Sequence, residues 1–134
     1  MFDARCLPQV GIQEPIEIRV PNPATFVIQK ALIGPERKPD KRAKDAAYVY
    51  DMAVLTEQRW ADVADAARSV RLSSSERAKW LERAATWFRR EYRTPDSPLL
   101  ASAARILEAS NPDEAPTPEA MRRLLCSFLD AIGL

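Results

Sequence analysis

The chain has 134 residues, enough for one domain with a real core and not comfortably for two. Apolar residues make up 46% and charged residues 29%, which excludes an intrinsically disordered composition. Net charge is +1, which excludes a whole-molecule electrostatic footprint for nucleic acid and leaves room only for a local patch.

Residues 1–14 read as irregular, with Pro8, Gly11 and Pro15 as breakers. Pro15–Val20, "PIEIRV", alternates Ile16, Ile18 and Val20 with Glu17 and Arg19, a period of two that predicts a short strand with one wet face. Such a strand needs a neighbour for its backbone, either residues 7–12 or a sheet outside this chain. From there on the pattern is helical. Asn22 caps a first helix with Pro23 at its first position, and Gly34-Pro35 stops it after Ile33. A second helix is predicted from about Pro39 to Thr56 and a third from about Arg59 to Val70. Ser73 and Glu76 have capping-box spacing for a fourth, Ser74 to about Tyr92. Ser97-Pro98 opens a fifth that ends at Asn111-Pro112, and Thr117-Pro118 opens a sixth. The expected fold is mainly α, five to six helices with a short N-terminal β element. The expected division is 1–22 as irregular segment and strand and 23–134 as helical domain, with a Pro-rich linker at 111–118. Three glycines against eleven prolines suit this better than a sheet with tight hairpins.

One residue breaks the pattern of the first helix. Lys30 stands among Phe26, Val27, Ile28, Ala31, Leu32 and Ile33, about 40° around the wheel from Phe26. Its ammonium must either snorkel to the helix edge or meet an anion. The following loop, "GPERKPDKR", sets Arg37, Lys38, Lys41 and Arg42 against Glu36 and Asp40. A cationic loop before a helix N-terminus is either a solvated surface or a cradle for an anion. In the second helix Ala43, Ala46, Ala47, Val49, Tyr50, Ala53 and Val54 form one apolar face, and Tyr48, Met52 and Leu55 form a strip almost opposite. A helix apolar on two faces is expected to be packed on two sides. Lys44 and Asp51 are expected to project together, and Asp45 to lie near Lys41. These polar residues are either intrahelical pairs or the rim of a phosphate or nucleotide site.

The chemistry available is narrow. With no His in the chain, Ser-His and Cys-His nucleophiles are excluded, and acid–base work is left to carboxylates, Lys and Tyr. Cys6 and Cys126 stand far apart, so neither a zinc site nor a disulfide framework is expected. No apolar run reaches the roughly 20 residues of a membrane span, and "MFDARCLPQV" is unlike a secretory signal, so a cytoplasmic protein without a membrane partner is expected.

The segment "VPNPATFVIQKALIGPERKPDKRAKDAAYVYDMAVL" resembles a stretch of nucleotidyltransferase-fold proteins that runs roughly "VPxPxxFxxHKLxxxxxR…KxxKDxxQAxxLL". The matching positions are Val20-Pro21, Pro23, Phe26, Lys30, Arg37, Lys41, Lys44 and Asp45, over about residues 19–55. Gln29 replaces the His, and Tyr48-Val49-Tyr50 replaces the Gln-Ala region. The resemblance implies a small mixed sheet, a Gly-Ser turn and paired carboxylates that bind metal and nucleoside triphosphate, so Mg and NTP are the implied cofactors. It implies that Lys30 contacts phosphate, with Arg37 and Lys41 nearby, and that Lys44 and Asp45 support the nucleotide or acceptor site. This chain lacks a Gly-Ser turn followed by Asp-x-Asp or Asp-x-Glu. It is therefore expected to be the C-terminal helical part of such a protein, working with an upstream domain and inactive alone, with a stand-alone remnant or a chain that works beside a partner chain as alternatives.

Two other readings rest on later helices. Arg77, Lys79, Arg83, Arg89, Arg90 and Arg93 interleave with Trp80 and Trp87, which suits a nucleic-acid-binding module, although both Trp residues lie on the apolar face and are expected in the core. Met121, Leu124, Leu125, Phe128, Leu129 and Ile132 form an amphipathic stripe for either this chain's own core or a protein partner.

Overall fold

The computed structural model describes residues 22–134. The expected strand at 15–20 and the segment before it fall outside them. Among the described residues there are six α-helices and no strand: α1 Pro23–Ile33, α2 Pro39–Leu55, α3 Trp60–Ser73, α4 Ser75–Glu91, α5 Pro98–Ser110 and α6 Pro118–Ile132. The protein is mainly α, as its Pro and capping residues predict.

The helix starts follow from local chemistry. Proline opens α1, α2, α5 and α6, where its missing N–H is no loss. The side chains of Asn22, Ser97 and Thr117 accept from the amides of Ala24, Leu100 and Ala120 at 2.9, 3.3 and 3.1 Å. Each such cap is worth about 1 kcal/mol. One boundary and one cap geometry differ from expectation, while α1 ends after Ile33 as predicted. α3 runs on through Ser73, so the cap of α4 is Ser74, whose hydroxyl accepts from the Arg77 amide at 3.1 Å. Ser73 instead donates to the Val70 carbonyl, and with Arg77 three residues after Ser74 the expected capping box with Glu76 does not form. At the end of α1, Gly34 is right-handed, with φ −50°, and leads into a 3₁₀ turn, Gly34–Glu36. Its lack of a side chain is required by Trp87, whose ring lies against it, and not by a left-handed cap.

α1 packs on α4, α2 on α5, and α3 on both α4 and α6. Their shared core holds Leu81, Phe88, Tyr92, Leu100, Met121, Leu125, Phe128 and Leu129, all fully buried. Each large side chain buried here contributes roughly 1.5–3 kcal/mol. The α6 stripe is thus taken up by the protein's own core. Trp60 joins it with its ring 5.4 Å from that of Phe128, and its indole N–H donates to the Ala53 carbonyl at 3.0 Å, which ties the start of α3 to the end of α2.

The first turn of α6 carries a titration signature. Hydrogen bonds from Arg122, then its charge and the contacts of Arg123, hold the Glu119 carboxyl down from its ordinary 4.5 to about 2. A depressed carboxylate contributes stability above its ordinary value and loses it as pH falls through the folded value. NMR titration should therefore find the Glu119 midpoint near 2, and Arg122→Ala should move it back toward 4.5. A midpoint near 4.5 in the unaltered protein would contradict the pairing.

Candidate functional site

α1 buries Ala24, Val27, Ile28 and Ala31, which leaves Lys30 on the side that faces α2. There its ammonium donates to Asp45 Oδ1 at 3.0 Å. Arg37, just past the 3₁₀ turn, reaches the same carboxylate with two nitrogens, Nε to Oδ2 at 2.9 Å and Nη2 to Oδ1 at 3.2 Å. Asp45 is 3% exposed. The ammonium also lies 5.3 Å from the Phe26 ring centroid and 5.9 Å from that of Tyr48. The charge in the apolar helix therefore meets an anion, and the anion comes from this chain.

Asp45 does lie one turn from Lys41, but it is buried and not on the polar surface of α2 as expected. A helical wheel drawn for α2 alone cannot show that α1 and the 3₁₀ turn cover that position. The supports of the cluster are also long-range. Arg42 donates to the carbonyls of Gly34 and Pro35, both at 2.8 Å, and so staples the turn that delivers Arg37. Tyr92, fully buried, lies within electrostatic reach of Asp45; burial first, and then the Asp45 charge, raise its hydroxyl pKa. Neither residue was singled out by sequence pattern. Arg42 left a signal as one of several cations in the loop, whereas Tyr92 left none.

Of the five charged residues that the motif marks, the structure brings together Lys30, Arg37 and Asp45. Lys41 is exposed one turn before Asp45, on the same side of α2. Lys44 is exposed on another side, where it lines a shallow groove with Pro39, Ser102 and Arg105 of the α2–α5 seam. Lys44 and Asp51 form no ion pair, because two helical turns separate them by about 10 Å along the axis. Among the described residues the second apolar strip of α2 is not packed as expected either: Tyr48 is 51% and Leu55 69% exposed.

The cluster sets two cations against one carboxylate and so carries one excess positive charge. Asp45 occupies one of the three N–H groups of Lys30 and two of the five of Arg37. The rest remain for another acceptor, and with side chains 18% and 33% exposed both cations can reach one from solvent. A buried ion pair adds little net stability. Its consequence here is positional, since two donors are held side by side as an anion needs them. A metal fits less well. Both Asp45 oxygens are engaged by cations, and no group of three or more His, Cys, Asp or Glu among the described residues could hold an ion. No helix among these residues is long and apolar enough to cross a membrane.

A family model described as Nucleotidyltransferase matches residues 2–72, more than half of the chain, and spans α1, α2 and nearly all of α3. Comparisons with curated proteins and with solved structures return no match.

Proposed function

Since the chain belongs to the nucleotidyltransferase family, we propose that the Lys30–Arg37–Asp45 cluster between α1 and α2 grips the phosphates of a nucleoside triphosphate. In this reading Lys30 and Arg37 donate to phosphate oxygens, Asp45 is the positioning residue that holds them together, and Lys41 adds charge at the rim. Lys44, on another side of α2, stands outside the grip. The observation that carries the reading is the Lys30–Asp45–Arg37 cluster, positively charged, solvent-facing and inside the matched segment. In nucleotidyl transfer an acceptor oxygen bonds to the α-phosphorus and the bond to the pyrophosphate breaks. Two fixed cations favour that step by holding the triphosphate and stabilising the departing pyrophosphate. Residues 22–134 offer no metal-ligand set. The carboxylates for a magnesium ion would then come from outside residues 22–134.

Calorimetric titration with ATP and GTP tests the grip. Lys30→Met should weaken binding by about tenfold or more, the value of one charge-assisted hydrogen bond, whereas Lys44→Met should leave it unchanged. Equal affinities in Lys30→Met and the parent would refute the assignment.

A further inference from the structure

A second surface, on the far side of α1, has no role in the phosphate grip. Two hollows lie along the α1–α4 seam and share Leu32. The first, about 510 Å³, has a floor of Ile28 and Leu32 and walls that include Gln29, Arg77 and Trp80. The second, about 220 Å³, continues past Leu32 to Pro35 and is flanked by Arg83 and Arg90. No acidic side chain lines either hollow among the described residues. The protein has a net charge of only +1, so this local concentration of arginine is distinctive.

The arrangement is directional. Arg77, Arg83 and Arg90 stand at intervals of six and seven residues on α4 and span about 20 Å of helix. That is the reach of a few successive phosphates on one strand. Arg77 and Arg83 form no ion pair with another described residue, and Arg90 pairs only with its chain neighbour Glu91, through Nε at 3.2 Å. Trp80 is only half-buried, with the Arg77 guanidinium 5.8 Å from its ring. Trp87 differs: it is 4% exposed and flanked by Arg42 and Arg90, so it belongs to the core and offers no open face.

We propose that the α1–α4 groove binds a single strand of nucleic acid, with one base against Trp80 and successive phosphates on Arg77, Arg83 and Arg90. An apolar small molecule would have no use for three guanidiniums. A second copy of the chain would set like charges against each other. An acidic peptide matches the charge but leaves the aromatic face and the Gln29 amide without a role, whereas a base uses both. Pro35, at the head of the groove, is two residues from Arg37. A bound strand therefore approaches the phosphate grip and would serve as the acceptor. That last step rests on the proposed function; the binding itself does not.

The test is fluorescence anisotropy of labelled 12-nucleotide oligo(U) and oligo(dT) with the full chain over a series of salt concentrations. Three phosphates should give a slope of log affinity against log salt of about −2, at roughly 0.7 per phosphate. Arg77→Ala/Arg83→Ala alters two exposed side chains and should cut the slope by about 1.4. Trp80→Ala should weaken binding by about tenfold. A preference for one oligonucleotide identifies RNA or DNA as the strand. Lys30→Met should lower ATP affinity and leave oligonucleotide affinity intact, which separates a failure of this groove from a failure of the grip. Absence of binding at low salt, binding indifferent to the arginine pair, or equal competition by poly-glutamate would overturn the proposal.

Discussion

Gly34→Ala should destabilise the protein by roughly 2 kcal/mol and lower its melting temperature by several degrees. A methyl group on Gly34 would stand 2.5 Å from Cε2 and 2.9 Å from Cη2 of Trp87. The ring is 4% exposed and packed between Arg42 and Arg90, with centroid distances of 5.7 and 5.2 Å, so any shift disturbs those contacts. Two effects oppose each other. At φ −50° alanine is conformationally acceptable, and it would stabilise by about 0.4–1 kcal/mol through the unfolded chain. Overpacking in a closed core costs about 1–3 kcal/mol, so the clash wins. Urea melts of Gly34→Ala, Trp87→Phe and the double variant form a cycle that measures it. The smaller ring should recover much of the alanine's cost, and fully additive effects would show that the contact does not limit the site. The same turn delivers Arg37, so Gly34→Ala should also weaken ATP binding.

The parts of the fold that could be read in advance are the local ones. Asn22, Ser97 and Thr117 cap helices within three residues of themselves, and Pro23, Pro39, Pro98 and Pro118 mark first turns by their own geometry. The shifted α3–α4 junction has a local cause as well. Ser73 and Ser74 are both competent caps, and only the continuation of α3 decides between them. Lys30 could be recognised as anomalous from the apolarity around it, and the family motif placed Arg37 and Asp45 beside it in a list. What no periodicity contains is the pairing, because Asp45 lies fifteen residues from Lys30 on another helix. The roles of Arg42, visible only as one loop cation among several, and of Tyr92 escape for the same reason. One supports a backbone turn and the other is buried within electrostatic reach of a carboxylate, and neither role leaves a spacing in its own element. The Tyr48, Met52 and Leu55 strip failed in the opposite direction. Its pattern is that of a covered face, yet the described residues leave most of it exposed.

The largest effect is expected from stripping the buried carboxylate of its partners. Lys30→Met alone leaves Asp45 with the two-point contact from Arg37, so the fold should lose only about 1 kcal/mol. Lys30→Met/Arg37→Met leaves a 3%-exposed carboxylate with neither cation, and that should cost about 3–5 kcal/mol. Adding Asp45→Leu removes the stranded charge, and since buried ion clusters exchange for apolar ones at little net cost, most of the loss should return. Guanidinium melts of the three variants test the energetic account, and a double variant as stable as the parent would mean that Asp45 finds water without its partners. ATP binding then distinguishes structure from function. If the cluster served the fold alone, the restored triple variant would bind nucleotide as the parent does. If Lys30 and Arg37 are phosphate ligands, the triple variant regains its stability and still fails to bind, because its positive charge and its donors are gone.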